Sequence, residues 1–171
     1  ILHYNLAKEG GIVPLREEIQ ALQDYMALQQ IRYDHPFEVR FHVEDRLMDV
    51  KIPRFILQPL IENALYHGLG DQDGSIDLRI DKQEGDLIIQ VKDNGAGMTE
   101  EEVTRLFSDE RNEHRKAGLG IGLNYVYRMI KAHYGEASRF DIDSRIGQGT
   151  AITLRLPLEP GNTVGKPSFE V

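Results

Sequence analysis

The 171 residues predict an α+β two-layer sandwich, a mixed sheet covered on one face by helices. Three observations carry that expectation. Several stretches alternate apolar and polar residues with period two and are joined by short glycine-containing turns, as hairpin strands are. Between them run apolar stripes at helical spacing. The 40% hydrophobic content is enough for a single buried core in a chain of this length.

The elements follow in order. Ile1 to Leu6 is too short to classify and runs into the breaker Gly10-Gly11-Ile12-Val13-Pro14. Leu15, Ile19, Leu22 and Met26 then form a helical stripe lasting to about Arg32. Asp34-His35-Pro36 ends it, because the residue before proline is pushed out of helical geometry. Phe37 to Val43 alternates and reads as a half-buried strand. A second helix is expected from near Pro53, with Leu57, Leu60, Ile61, Ala64 and Leu65 inward and Gly68 at its end. Ser75 to Asp81 is a strand that turns at Glu84-Gly85-Asp86 and returns through Leu87, Ile89 and Val91. Thr99 followed by Glu102 announces a short helix to Phe107. Ser108 to Ala117, charged and poor in apolar residues, predicts a mobile loop. A long helix follows with Leu123, Val126, Tyr127, Ile130 and Tyr134 on one face. Phe140 to Ser144 and Thr150 to Leu156 make a last hairpin across Gly147-Gln148-Gly149, and the residues beyond Leu158 read as a frayed tail.

Composition excludes several function classes. The 28 acidic residues outnumber 20 basic ones, for a net charge of −8, which repels phosphate backbones and argues against nucleic acid as a partner. With no cysteine there are no disulfides or thiolate metal sites. No stretch approaches the roughly 18 apolar residues of a membrane span; the best, Ile52 to Leu65, contains Arg54, Pro59, Glu62 and Asn63. The opening at Ile1, with no signal peptide, reads as a piece of something longer that is not itself inserted in a membrane.

Three clusters can carry chemistry. Asp93 continues the inward parity of Leu87, Ile89 and Val91, so a carboxylate is expected to point inward at a strand end. Such a buried charge is costly unless hydrogen-bonded, and it can accept from a ligand amine such as that of adenine. The glycines of Asn94-Gly95-Ala96-Gly97-Met98 let backbone approach a ligand closely. Taken alone, Asp-Asn-Gly more often describes an aspartate capping its own turn. Gly118-Leu119-Gly120-Ile121-Gly122-Leu123 stands where the charged loop enters a helix, whose free N–H groups suit phosphate oxygens, though a ligand-free hinge has the same composition. The loop before it excludes a Rossmann fingerprint, and no P-loop run occurs. Third, Asn63 and His67 lie four apart on one helix flank. The amide oxygen of Asn63 can ligate magnesium, or serve only a local hydrogen bond.

In order and spacing these clusters resemble the catalytic ATP-binding domain of the superfamily that joins histidine kinases with gyrase, Hsp90 and MutL. Glu62-Asn63-Ala64 through Gly68 is similar to its N box, and Asp93 through Gly97 to its first glycine box. Phe107 stands for its phenylalanine box, Gly118 through Leu123 for its second glycine box, and Gly147-Gln148-Gly149-Thr150 for its last. Pro53 through Gly68, with the helix from Leu15 to Arg32, resembles the LytS/YesM class of sensor kinases more closely.

The resemblance implies a Bergerat ATP-binding fold over residues 15–158, a remnant of a dimerisation helix and linker over 1–14, and a flexible tail over 159–171. It implies that Asp93 binds the adenine amine and that Asn63 holds Mg2+; Glu62 would polarise the attacking imidazole, or stand simply as an exposed helix glutamate. His67, Gly95, Gly97, Met98, Lys116, Gly118, Leu119, Gly120, Ile121, Gly122, Leu123 and Thr150 would complete the ATP site, with residues from Met98 to Ala117 as its lid. The implied partners are a dimerisation domain carrying the phosphoacceptor histidine in a homodimeric parent, and a response regulator. The implied setting is the cytoplasmic side of a bacterial inner-membrane sensor.

Three departures qualify this. None of the six histidines lies in a Pro-His-Phe phosphoacceptor motif; His35-Pro36-Phe37 has the wrong order. Pro59 stands four before Asn63, where hydrolytic relatives keep a glutamate base. Tyr66 replaces a phosphate-contacting lysine, a charge that Arg115 or Lys116 would supply instead. A gyrase- or Hsp90-type ATPase and a non-catalytic nucleotide-sensing or docking module stand as rival readings.

Overall fold

A computed structural model describes residues 11–32, 36–69, 73–108 and 119–158. Lys116, Gly118, most of the loop expected from Ser108 to Ala117, the first ten residues and the 159–171 tail lie outside them. The described elements are β1 (Ile12–Pro14), α1 (Leu15–Arg32), β2 (Phe37–Val43), β3 (Lys51–Pro53), α2 (Leu57–Asn63) with a π-helical continuation Ala64–Leu69, β4 (Gly74–Gln83), β5 (Asp86–Asp93), α3 (Glu100–Ser108), α4 (Leu119–Tyr134), β6 (Arg139–Arg145) and β7 (Gly149–Pro157).

The main sheet has five strands in the order β2-β4-β5-β7-β6. β2 runs parallel to β4, from Phe37 opposite Gly74 to Val43 opposite Ile80, and the remaining pairs are antiparallel. The parallel pair needs a long crossover, which the segment carrying β3 and α2 provides. The turn between β4 and β5 places Glu84 and Gly85 both at positive φ (50° and 84°), the mirror-image turn whose twist matches the flanking strands. The expected mixed two-layer architecture is therefore present.

Period two sorts the strands into a buried and a polar face. Ile76, Leu78 and Ile80 of β4, Leu87, Ile89 and Val91 of β5, and Ile152, Leu154 and Leu156 of β7 are all buried. They meet Leu15, Leu22, Leu57, Ile61, Leu123 and Val126 from the helices in one core. The opposite face carries polar pairs, with the Arg40 guanidinium on Asp77 at 2.9 Å and Arg155 on Asp86 at 2.6 Å. The short helix α3 begins with a reciprocal cap: the Glu102 N–H donates to Thr99 Oγ1 at 3.2 Å, and the Thr99 N–H to Glu102 Oε1 at 3.1 Å.

The second helix starts later than proline placement predicts. Pro53 ends a strand, because Lys51–Pro53 pairs antiparallel with Ile12–Pro14 and buries Ile52 and Val13. The chain then turns through Phe55, a non-glycine residue at φ 66°, a conformation that costs roughly 1–2 kcal/mol. The Phe55 N–H donates to the buried Glu18 carboxylate of α1 at 2.8 Å. Pro59 is accommodated inside α2 because it lies in the first turn, where no i−4 partner awaits its missing N–H.

Ile89 sits at the centre of the core, opposite Ile80 on one side and Leu154 on the other, all fully buried. Ile89→Ala should cost about 2–5 kcal/mol. In urea unfolding this should appear as a lower midpoint with an unchanged slope.

Candidate functional site

Asp93 is the last residue of β5, the central strand, opposite Thr150 on β7 and Ile76 on β4. As its parity predicts, the side chain is buried, only 3% exposed. The Gly95 N–H donates to Asp93 Oδ1 at 2.8 Å. Burial pushes the carboxyl above its ordinary range, while the Gly95 and Thr150 N–H groups pull it back. The turn-capping and inward-pointing readings of Asp93 are thus both realised. Capping by Gly95 is one means by which the buried charge is supported.

The loop after Asp93 is held against the β6–β7 turn by a chain of polar contacts. The Met98 N–H donates to Ser144 Oγ at 2.7 Å, and Ser144 Oγ lies 2.7 Å from Thr150 Oγ1. The Gly147 N–H donates to the Ala96 carbonyl at 2.7 Å. Gly97, at φ 75°, faces the Arg145 carbonyl so closely that a Cβ would overlap it. Gly149, at φ 88°, is in the same position against the Asp93 carbonyl. These two glycines make room for backbone from the neighbouring loop. Ser144 was not singled out by sequence, since a serine at the end of an alternating strand gives no signal of its own.

Asn63 ends α2 and is 3% exposed. Its Oδ1 is buried and has no hydrogen-bond partner among the described residues, an uncommon state for a native acceptor. The π-helical continuation carries its chain toward the Asp93 loop. Leu69, at its end, and Asn94 Oδ1 both crowd the Cβ position of Gly74. Asn94 Oδ1 also accepts the Ser75 N–H at 2.9 Å. On the other flank Gly122 of α4 packs on Pro59, where an added Cβ would lie 3.2 Å from the proline Cβ. The structure thereby links Asp93 directly to Gly95 and Thr150 and joins Met98 to Thr150 through Ser144, packs Gly97 on the Arg145 carbonyl, and sets the helices of Asn63 and Gly122 beside one another. Glu62 is half-buried and accepts from Gln58 Nε2 at 3.1 Å. Leu119, Gly120 and Ile121 form the first turn of α4, and Leu123 is buried in the core. His67 falls within the π-helical segment.

Among the described residues no group of three or more His, Cys, Asp or Glu side chains could hold a metal ion. A groove of about 580 Å³ beside Met98 is lined by α3 and β6 residues such as Val103 and Ile142, and includes neither Asn63 nor Asp93.

The five-stranded mixed sheet with helices packed on one face is the α+β fold of the Bergerat ATPase class. The family described as "Histidine kinase-, DNA gyrase B-, and HSP90-like ATPase" matches residues 48–160, and the chain belongs to that family. A second family, described as "Histidine kinase", matches residues 1–37. The sensor protein LytS of Bacillus anthracis is 31% identical over 152 residues, covering 88% of this chain and 26% of LytS. The sensor protein kinase HptS of Staphylococcus aureus is 31% identical over 162 residues, covering 95% of this chain and 31% of HptS. The chain thus spans about a quarter to a third of the length of these relatives. The catalytic domain of histidine kinase ThkA shares the fold, with a TM-score of 0.66 at 18% identity over 88% of this chain and 96% of that one. No helix among the described residues is long and apolar enough to cross a membrane.

A raised Asp93 pKa has a definite sign in stability. An acid whose folded value lies above its ordinary 3.8 contributes stability below 3.8 that is lost as pH rises through the folded value. The stability of the wild type minus that of Asp93→Asn should therefore fall as pH rises above 3.8 and then level off. Urea unfolding of both proteins across that range checks it; a difference that grows with pH would show a stabilised carboxylate instead.

Proposed function

We propose that the chain is the catalytic, ATP-binding module of a two-component sensor histidine kinase, formed by residues 15–158 together with the strand Ile12–Pro14 that pairs with Lys51–Pro53, between the rest of the 1–14 linker segment and a 159–171 tail. It binds Mg-ATP and presents the γ-phosphate to a histidine on a separate dimerisation domain of the homodimeric parent. From there the phosphoryl group passes to an aspartate of a response regulator. The parent is a bacterial inner-membrane sensor and this module its cytoplasmic part.

The observation that carries the reading is the buried, unpartnered Oδ1 of Asn63. Magnesium takes hard oxygen ligands, keeps several waters and relies on substrate phosphates rather than a dedicated protein cage. One amide oxygen, with no carboxylate cluster among the described residues, fits that donor set. When bound, the ion would neutralise charge on the phosphates; what the chain does is bind, orient and exclude. Asp93 accepts from the adenine amine, with Thr150 and Met98 packing beside it. His67 belongs to the same ATP site. Gly118, Leu119, Gly120, Ile121 and Gly122 offer N–H groups to phosphate oxygens at the start of α4, and Leu123 anchors that turn. Lys116 supplies cationic charge from the lid, and Glu62 polarises the attacking imidazole. Phosphoryl transfer asks mainly for positioning and charge neutralisation.

Pro59 supports transfer over hydrolysis. It presents no carboxylate to activate water, and its ring packs on Gly122. The docking-module reading draws on Tyr66, whose hydroxyl donates to Gln29 Oε1 at 3.4 Å. Labelling separates the readings: with γ-labelled ATP the chain alone should form no acid-labile phosphohistidine, and a supplied dimerisation domain should become labelled. Label on the chain's own histidines would overturn the reading, and no label on the supplied domain would favour docking.

Asn63→Ala should weaken Mg-ATP binding by about tenfold or more, since even supporting partners of metal ligands are worth that much. Binding in EDTA should change little. Calorimetry with and without magnesium measures both, and equal losses in the two would remove Asn63 from the metal site.

A further inference from the structure

The helix that carries Asn63 is tied to α1 at both ends. At its start the buried Glu18 accepts the Phe55 N–H at 2.8 Å, and the Leu57 and Ile56 N–H groups also turn toward its carboxylate. No side chain of α2's own N-cap residue, Ile56, takes that role. At its end the Tyr66 hydroxyl donates to Gln29, also buried at 5% exposure. Both ties join residues 37 apart in sequence, so α1 and the Asn63 helix run in the same direction and in register. Glu18 and Gln29 are eleven residues apart on α1, about three full turns, which puts them on one face some 16 Å apart. Leu22 and Met26 lie between them on that face and are buried too.

Asn63 lies between the two ties. A third contact holds the same entry turn from α4, where the Tyr125 hydroxyl donates to the Arg54 carbonyl at 3.2 Å. The ties also cross between two separately recognised segments. Glu18 and Gln29 fall within the "Histidine kinase" match at 1–37, and Phe55 and Tyr66 within the ATPase match at 48–160.

We infer that Glu18 and Gln29 are positioning residues for the magnesium-dependent part of nucleotide binding. Together they fix the axial position and rotation of the helix that presents Asn63, an inference that rests on Asn63 being the metal ligand. The carboxylate keeps Phe55 in its left-handed conformation and takes N–H groups that the helix start leaves unpaired. The Gln29 tie then stops the far end from sliding. Neither side chain touches the nucleotide; each acts through Asn63. Any displacement of α1 along its axis is carried to that amide oxygen.

The test compares nucleotide affinity in magnesium with affinity in EDTA, whose ratio isolates the part that Asn63 provides. Glu18→Ala should lower that ratio roughly tenfold, the smaller end of what loss of a ligand's support costs. Glu18→Gln, which keeps an acceptor oxygen, should recover much of it, and affinity in EDTA should stay unchanged. Tyr66→Phe, which removes the far tie, should lower the ratio in the same direction, and it gives the reading should Glu18→Ala fail to fold. Folded variants with a wild-type ratio, or equal losses in magnesium and EDTA, would overturn the inference. A wild type with no magnesium-dependent gain would instead overturn the assignment of Asn63, and the inference with it.

Discussion

A carboxylate buried at the end of the central strand sets the terms for the rest of the site. Charge of this kind is tolerated only where hydrogen bonds surround it, and Asp93 obtains them from the loop that follows and from the strand beside it. Gly95 has to fold back onto the carboxylate, and Thr150 has to lie directly across from it. That register brings the β6–β7 turn against the 94–98 loop, which only glycine permits at 97 and 149. The polar chain through Ser144 and Thr150 then ties both loops into one wall. In the proposed ATP site this desolvated acceptor would face the adenine amine, a donor that gains more from a dry carboxylate than from a solvated one.

Much of this was legible in residue order. Alternation from Leu87 through Val91 was enough to turn Asp93 inward, because strand parity is a local property that tertiary context rarely reverses. The Thr99–Glu102 cap was equally local, and both its hydrogen bonds form. What resisted reading depended on contacts between distant segments. Pro53 looked like a helix start, yet its neighbours pair with Ile12–Pro14, forty residues away, and the helix waits for Leu57. Glu18 is charged and is not among the inward residues expected of α1. Its burial follows from a left-handed Phe55 that no pattern of α1 announces. Ser144 was hidden for the same reason, since its partners Met98 and Thr150 are brought to it only by the register of β6 on β7.

Two of the three departures from the wider superfamily, Pro59 and Tyr66, have structural counterparts. Pro59 stands where hydrolytic relatives keep a carboxylate, and the close approach of Gly122 uses its ring as a packing surface between α2 and α4. Tyr66 replaces a cation and reaches α1 instead. Both positions make contacts that join helices.

Backbone hydrogen exchange at single-residue resolution, comparing the chain alone with adenosine, ATP in EDTA and Mg-ATP, decides whether Asp93 and Asn63 hold the two ends of one nucleotide. Adenosine alone should slow exchange at Gly95, Met98 and Thr150, beside the Asp93 carboxylate. Mg-ATP should extend the protection to the helix from Asn63 to Leu69, while ATP in EDTA should not. Protection by Mg-ATP that leaves Gly95, Met98 and Thr150 unchanged, or that reaches the Asn63 helix equally without magnesium, would contradict that arrangement.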